Sequence, residues 1–210
     1  MSYSLKPIVL LIVLCSTTLL GVGLKKDRDK RPFIKGHYYT YDGSRVDGLL
    51  RHKPAIFSAT GSWASYLQFK KTMDSSPEKL TTTEASSFVM GEDSFGIVKN
   101  IKINQVQGKY EIDFAQVSIV GPMSLYFHKS SSSDGVNYFY HSKWILSNDG
   151  ENFLCIYKGI KKQRNDLAEL FSATPRLKTR ILNKELDKDY KTGFKGLLRF
   201  INKYNEELEE

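Results

Sequence analysis

Cysteine is scarce in this 210-residue chain, which limits the disulfide bonds that could stabilise its fold. The sequence holds two cysteines, Cys15 and Cys155. If a leader containing Cys15 is removed, Cys155 has no intramolecular partner for a disulfide. The remaining domain must then be stabilised by packing alone, which a chain of this length can achieve.

The sequence also lacks the motifs of common enzymes and metal sites. Its four histidines form no His-Glu-x-x-His motif, and its cysteines form no Cys-x-x-Cys pair. No Gly-x-Ser-x-Gly elbow or phosphate-binding glycine loop occurs. We therefore predict no catalytic residue, no metal ligand and no cofactor, and favour a protein that is not an enzyme. There is no Asn-x-Ser/Thr sequon either, which favours a bacterial envelope over a eukaryotic secretory route.

One apolar run stands out, at the start of the chain. Lys6 precedes residues 8–24, and the run ends with the small residues Gly21 and Gly23. A basic start, an apolar stretch and a small-x-small pair are typical of a secretory signal. Cys15 and the threonines after it weaken the run as a membrane span. We therefore predict that residues 1–24 are a signal peptide and that the protein is periplasmic, or outer-membrane associated or extracellular.

A retained membrane anchor is the alternative. The basic cluster at residues 25–31 follows the apolar run, and such clusters tend to stay in the cytoplasm. Residues 8–24 would then hold the protein in the membrane. A lipidated Cys15 is disfavoured, because Leu14 occupies a position at which lipoprotein processing needs a small residue. Cleavage and lipidation both stay open at this stage.

The chain is basic, with 31 lysines and arginines against 23 acidic residues and a net charge of +8. Such an excess is compatible with nucleic acid, anionic lipid or acidic polysaccharide. The charge is spread along the chain, and its densest run lies in residues 25–35, which we predict to be a solvated linker. Nucleic acid is disfavoured for an exported protein, so the expected partner is an unidentified envelope protein or glycan.

Residues 36–159 have the pattern of a β-rich domain. Asp42 and Gly43 stand between β-forming residues and predict a tight hairpin turn, since such turns need positive φ. Further strands are predicted at 55–59, 65–69, 88–90, 96–103, 110–114, 124–129, 136–144 and 153–157, with 115–120 left open between strand and helix. Many short strands separated by turn residues favour an antiparallel β-sandwich or a partly open β-barrel.

Residues 160–210 change to a helical period. Leu167, Leu170 and Phe171 share one face of a helix predicted at 161–172, and Thr174 with Pro175 predicts the start of a second helix. The last segment carries an apolar stripe, which consists of Phe194, Leu197, Leu198, Ile201, Tyr204 and Leu208. We expect these helices to pack on the β-domain, giving an α+β fold, with docking on a partner protein as the alternative.

The segment from Gly36 to Gly48 resembles the opening motif of a group of uncharacterised exported Bacteroidota proteins. That motif runs Gly-Tyr-x-x-Thr-x-x-Gly-Asp-Thr-x-x-Gly. Gly36, Thr40, Gly43 and Gly48 match it, whereas His37, Ser44 and Arg45 depart from it. The similarity continues at residues 120–126 and at Tyr204-Asn205. The resemblance implies export and a compact β-rich domain, and it implies no catalytic residue.

Two groups of polar residues are candidates for chemistry. Glu111 and Asp113 flank Ile112, so on a strand both carboxylates point to one face, where a pair could serve glycoside hydrolysis. The favoured interpretation is a solvated strand face. His128 and His141 lie on either side of a predicted loop, but a loop centred near Ser132 would place them out of register.

Aromatic residues are the remaining candidates for a ligand-binding surface. The chain has twelve tyrosines, twelve phenylalanines and two tryptophans. Tyrosines near lysines can stack on sugars, although sheets also favour aromatic residues for packing. The ligand-facing candidates are Tyr38, Tyr41, Tyr126, Tyr138, Tyr140 and Trp144. The leading hypothesis is thus an exported, non-catalytic binding or structural module of the envelope, and the alternative is an envelope hydrolase acting on a glycan or peptide.

Overall fold

The computed structural model describes residues 31–58, 61–102, 109–134, 136–156, 160–185 and 194–209. Strands precede helices along this chain. The strands are β1 (Ile34–Tyr39), β2 (Arg45–Lys53), β3 (Ala55–Ser58), β4 (Gly61–Trp63), β5 (Tyr66–Lys70), β6 (Glu78–Leu80), β7 (Ser87–Met90), β8 (Asp93–Lys102), β9 (Lys109–Ile119), β10 (Ser124–Ser133), β11 (Tyr138–Ser147) and β12 (Phe153–Ile156). A 3₁₀ turn (Ile160–Gln163) then leads into helices α1 (Arg164–Leu170), α2 (Pro175–Leu182) and α3 (Phe194–Glu209).

The first hairpin forms at the predicted turn. β1 and β2 pair antiparallel from Tyr39 opposite Arg45 to Ile34 opposite Leu50. Gly43 has a φ of 84°, which glycine adopts without the steric strain that a Cβ atom adds. The Asp42 carboxylate accepts the backbone N–H of Ser44 at 3.0 Å and closes the turn. The sequence-based prediction of this hairpin is confirmed.

The twelve strands form one open sheet in the order β12-β11-β10-β9-β8-β7-β1-β2-β5-β6, with β3 and β4 attached beside β10. All pairs are antiparallel except β3 with β10. The fold is therefore α+β, with an antiparallel β-rich region followed by helices, as predicted. Of the residues left open at 115–120, those up to Ile119 continue strand β9.

One edge of strand β10 pairs with β11 along its whole length, whereas the other edge pairs with two different strands. Its first half pairs with β9, up to Phe127 opposite Gln116. Its second half pairs in parallel with β3, from Ser130 opposite Ala55 onwards. Beside β10, the sheet therefore divides into one branch that begins with β9 and another that begins with β3. We call this place the fork; the candidate site lies there.

The core consists of three clusters of buried side chains on the sheet. One cluster lies over β1, β2 and β5 to β9, and it includes Leu50 and Phe88. A second one includes Val98 and Ile145. The third joins the helices to the sheet, because Met123, Leu125 and Leu146 contact buried residues of α1, α2 and α3. The apolar faces of the helices are thus removed from water against the protein's own sheet and against one another.

The C-terminal helix docks on its own sheet, as expected. Leu197, Ile201 and Tyr204 are buried in the third cluster, whereas Leu198 is only half-buried. Phe200, which the predicted stripe omitted, is buried as well. The side chains of Phe194 and Leu208 lie outside the described residues. Among the described residues, no helix combines the length and apolar character that a membrane span requires.

Several local predictions need correction. The strands β4 and β6 were not predicted; each has three residues, too few for a visible alternating pattern. Thr174 does occupy the N-cap of α2, but its side chain makes no capping hydrogen bond. The β10–β11 hairpin turns later than expected, so His128 lies opposite Lys143 and Ser130 lies opposite His141. The predicted register of these histidines was therefore wrong.

Candidate functional site

A buried polar cluster lies at the fork and is centred on Asp113. The side chains of Asp113 and His128 are both 0% exposed. His128 Nε2 lies 2.7 Å from Asp113 Oδ2. Asp113 Oδ1 accepts hydrogen bonds from the backbone N–H of Ser65, at 2.8 Å, and from the Ser65 hydroxyl. We call these three residues the fork cluster.

The fork cluster also satisfies a backbone group. The N–H of Phe114 donates to Asp113 Oδ1 at 2.9 Å and is 3.3 Å from Ser65 Oγ. Side chains therefore supply hydrogen bonds at the point where β10 has left β9. A buried carboxylate needs such donors, because removing its charge from water is otherwise very costly.

Three buried polar atoms next to or near the fork cluster have no hydrogen-bond partner among the described residues. They are His128 Nδ1, Tyr110 Oη and Ser130 Oγ. The Tyr110 ring centroid is 6.1 Å from that of His128. Burial, and secondarily the Asp113 carboxylate, raises the pKa of the Tyr110 hydroxyl. The neutral phenol is therefore strongly favoured in this interior.

The fork cluster has residues that serve acid–base chemistry elsewhere, but they are enclosed. Ser65, Asp113 and His128 are all at most 2% exposed. A general base must come within hydrogen-bond reach of its substrate. In the described arrangement, the hydrogen bonds of the Asp113 carboxylate are instead made to the protein itself, so it acts as a structural tie.

The two carboxylates of the predicted pair lie in different environments. Glu111 is exposed, whereas Asp113 is fully buried and hydrogen-bonded. The interpretation of both residues as a solvated strand face was wrong for Asp113. The physical reason is that Ser65 and His128 supply donors from 48 and 15 positions away along the chain.

A second feature is a row of side chains across four strands, three of them exposed and one, Ser131, half-buried. Trp63 of β4 lies opposite Ile56 of β3, Ile56 lies opposite Ser131 of β10, and Ser131 lies opposite Tyr140 of β11. Directly opposed residues share a face of the sheet. Trp63 is 52% exposed, Ile56 40% and Tyr140 88%. We call these four residues the aromatic row, which spans roughly 14 Å at ordinary strand spacing.

The aromatic row continues the face on which the helices pack. Leu125 and Ser131 have the same orientation on β10, because they are six positions apart and side chains alternate between the two faces. Leu125 is covered by the helices in the third core cluster, whereas the aromatic row at the other end of β10 is open to solvent. Exposed Lys129 lies between these two ends on the same face.

The six aromatic residues predicted from sequence do not form one surface. Tyr140 belongs to the aromatic row. Tyr38 packs edge-on against Phe69, and the Tyr41 hydroxyl donates to the Thr82 carbonyl at 2.5 Å. Tyr126 contacts the Phe153 ring and Trp144 the Phe127 ring, and both side chains are half-buried. Tyr138 lies opposite Ser133 by backbone register, and its side chain lies outside the described residues.

Two of the open grooves beside the helices are lined by several polar side chains. One has a volume of about 630 Å³, and it is lined by Pro175, Arg176, Thr179, Arg180, Glu185 and Lys203. The other has about 460 Å³, and its acidic lining residues are Asp149, Glu151, Asp166 and Glu169. Glu151 pairs with Lys99 and Glu169 with Lys178. Over the part of the chain that the structure describes, no group of three or more potential ligands could hold a metal ion.

Comparison with known proteins adds no family. No protein-family model, curated protein or solved structure matches this chain. The resemblance at Gly36–Gly48 stays a prediction.

No sequence pattern singled out Trp63 or Ser65 as site residues or predicted that His128 is buried. Trp63 and Ser65 lie on either side of Ala64 in a short stretch with no clear alternation. One signal was present, since Asp113 stands between Ile112 and Phe114 in a run of strand-forming residues. A charged residue in such a run can be read as solvated or as buried and paired, and sequence spacing does not distinguish the two.

Proposed function

We propose that this protein is exported and acts as a non-catalytic binding module in the cell envelope of a Gram-negative bacterium. The observation that carries the proposal is the aromatic row, an open aromatic and aliphatic surface at the end of the sheet face that the helices leave uncovered. Contiguous exposed apolar side chains on a soluble protein commonly mark a binding surface.

The composition of the aromatic row favours a glycan ligand. Trp63 and Tyr140 offer ring faces at its two ends, and the hydroxyl of Ser131 lies between them. Rings supply large contact areas, while Tyr and Ser hydroxyls can hydrogen-bond a polar ligand. Lys129 adds a positive charge on the same face, which suits a glycan with acidic groups.

The hydrolase alternative has less support. Its candidate carboxylates are separated into an exposed Glu111 and a buried Asp113. His128 is enclosed with Asp113, and His141 is hydrogen-bonded to Ser132 at 2.7 Å. Among the described residues, these groups form no accessible acid–base pair of the kind that glycoside hydrolysis uses.

A binding experiment tests the glycan proposal. The purified protein is mixed with insoluble peptidoglycan sacculi and, separately, with soluble oligosaccharide from lipopolysaccharide. We expect retention by at least one glycan, and a loss of retention in Trp63→Ala and Tyr140→Ala. Phe139→Ala is the matched control, since Phe139 is 50% exposed and adjacent to Tyr140 but points to the other face. Retention that is equal in all four proteins, or absent throughout, contradicts the proposal.

Export is tested separately. Alkaline phosphatase is fused after residue 40 and expressed in a Gram-negative host. An active, periplasmic fusion is expected, because residues 1–24 have the features of a secretory signal. N-terminal sequencing of the product distinguishes cleavage from a retained anchor. An inactive cytoplasmic fusion contradicts export.

A further inference from the structure

The aromatic row and the fork cluster are connected through β4. Trp63 is the last residue of β4, and Ser65 follows two positions later, before β5 begins. Ser65 is 2% exposed and is held by two hydrogen bonds to Asp113 Oδ1. An exposed tryptophan of the proposed binding face is therefore separated by only Ala64 from a buried anchor.

Apart from the anchor at Ser65, the described part of the β3–β4 hairpin is attached to the rest of the sheet through β3, where Ala55 is buried in the second core cluster. Strand β4 pairs with β3 over three residues, and the structure describes no other strand beside it. Strand β3 is attached to β10 by four parallel pairs. Small elements with few buried contacts open more easily than the core of a domain. The anchor at Ser65 is therefore well placed to set the position of Trp63.

The fork cluster is better suited to fixing the relative positions of its chain segments than to adding stability to the core. Asp113 is fully buried and accepts hydrogen bonds from strand β9, from His128 on β10 and from Ser65 at the end of the β3–β4 hairpin. Apolar side chains of similar volume often stabilise a core as well as a buried polar group does. A directed carboxylate, by contrast, fixes the positions of its donors.

We infer that the fork cluster is a latch in which Ser65, Asp113 and His128 act as positioning residues for the aromatic row. The latch holds the β3–β4 hairpin against β9 and β10, so that Trp63 and Ile56 stay in line with Tyr140. Its consequence for ligand binding rests on the proposed function. Its effect on the position of Trp63 does not, and can be measured without any ligand.

Trp63 fluorescence gives a direct test. The chain has two tryptophans, so Trp144→Phe leaves Trp63 as the only one. In this background, Ser65→Ala and Asp113→Asn are expected to raise the acrylamide quenching constant of Trp63. They are also expected to speed hydrogen exchange in residues 55–58 and 61–63, with β1 and β2 little changed. Ser65→Thr keeps a hydroxyl and should restore slow exchange.

Ser86→Ala is the matched control for loss of a serine hydrogen bond. The Ser86 hydroxyl donates to the Tyr39 and Thr40 carbonyls, at 3.1 and 3.2 Å, in a different part of the sheet. The Ser86→Ala substitution should lower the free energy of unfolding without changing the acrylamide quenching of Trp63. The latch is overturned if Ser65→Ala lowers stability as Ser86→Ala does while quenching and local exchange stay unchanged. Failure of glycan retention with altered quenching would instead reject the proposed ligand and keep the latch.

Discussion

The side chain of Asn205 pairs with the backbone of Met123 much as a neighbouring strand would. The Met123 N–H donates to Asn205 Oδ1 at 2.7 Å, and Asn205 Nδ2 donates to the Met123 carbonyl at 3.0 Å. Both residues are buried. This pair fixes α3 to the connection between β9 and β10, and it brings together the two later parts of the sequence resemblance, residues 120–126 and Tyr204-Asn205.

The Asn205 pair should contribute measurably to stability. Asn205→Ala leaves the N–H and the carbonyl of Met123 unpaired in the interior, which costs about 1–3 kcal/mol for each unsatisfied group. We expect a clear fall in the free energy of unfolding, measured by urea denaturation. Exposed Asn202 on the same helix provides the control, since Asn202→Ala should change stability little. Equal effects of the two substitutions would show that the pair is not needed.

Gly121 should be coupled to Asn205. A Cβ atom at position 121 would lie 2.5 Å from Asn205 Nδ2, so Gly121→Ala must displace the amide. Such overpacking typically costs about 1–3 kcal/mol. In a double-mutant cycle, Asn205→Ala should relieve this clash and make the combined loss smaller than the sum of the two. Additive losses would place the cost of Gly121→Ala elsewhere.

Two adjacent leucines of α3 should contribute unequally to the free energy of unfolding. Leu197 is 2% exposed, whereas Leu198 is half-buried at the edge of the helical cluster. Leu197→Ala should therefore lower the free energy of unfolding by about 2–4 kcal/mol, and Leu198→Ala by less. Denaturation of the two variants in parallel measures the difference. A larger loss for Leu198→Ala would contradict the observed orientation of the helix.

The sequence predicted much of the fold because most of its signals are local. Asp42 and Gly43 determine a turn through their own conformational preferences, and the stripe of α3 repeats at helical spacing. The parallel pairing of β3 with β10 was not predicted, since it depends on residues far apart in sequence. The residue pattern of a four-residue strand is too short to identify the strand with which it pairs.

The fork cluster was not predicted for the same reason. Asp113 was noticed as a carboxylate, but its donors come from three separate strands or connections, and each residue alone is unremarkable. Of the aromatic row, only Tyr140 was predicted. Exposure of an aromatic residue depends on which elements cover its face, and sequence alternation does not report that.

Gly43 and Gly48 should respond to substitution for different reasons. Nothing lies within 4 Å of a Cβ at position 43, so Gly43→Val should be destabilising, by about 1–2 kcal/mol, through its positive φ alone. Gly43→Asn should cost less, because asparagine tolerates this region. At Gly48, a Cβ would lie 2.3 Å from the Phe69 ring and 2.5 Å from the Lys70 carbonyl. Gly48→Ala should therefore lower the melting temperature more than Gly43→Asn; the reverse order would contradict the strand pairing of β2 with β5.

The environment of His141 should make one part of the β10–β11 hairpin sensitive to acid. Burial, with a smaller contribution from the charge of Lys143, lowers the pKa of His141. A histidine whose folded-state pKa is lowered favours the neutral ring, so its contribution to stability is present above the unfolded pKa of about 6.5 and is lost as the pH falls through the folded value. NMR titration should give a midpoint below that of an exposed histidine, and Lys143→Ala should raise it only partly, because burial is the larger cause. A midpoint that returns fully to the ordinary value in Lys143→Ala would show that charge, and not burial, controls this residue.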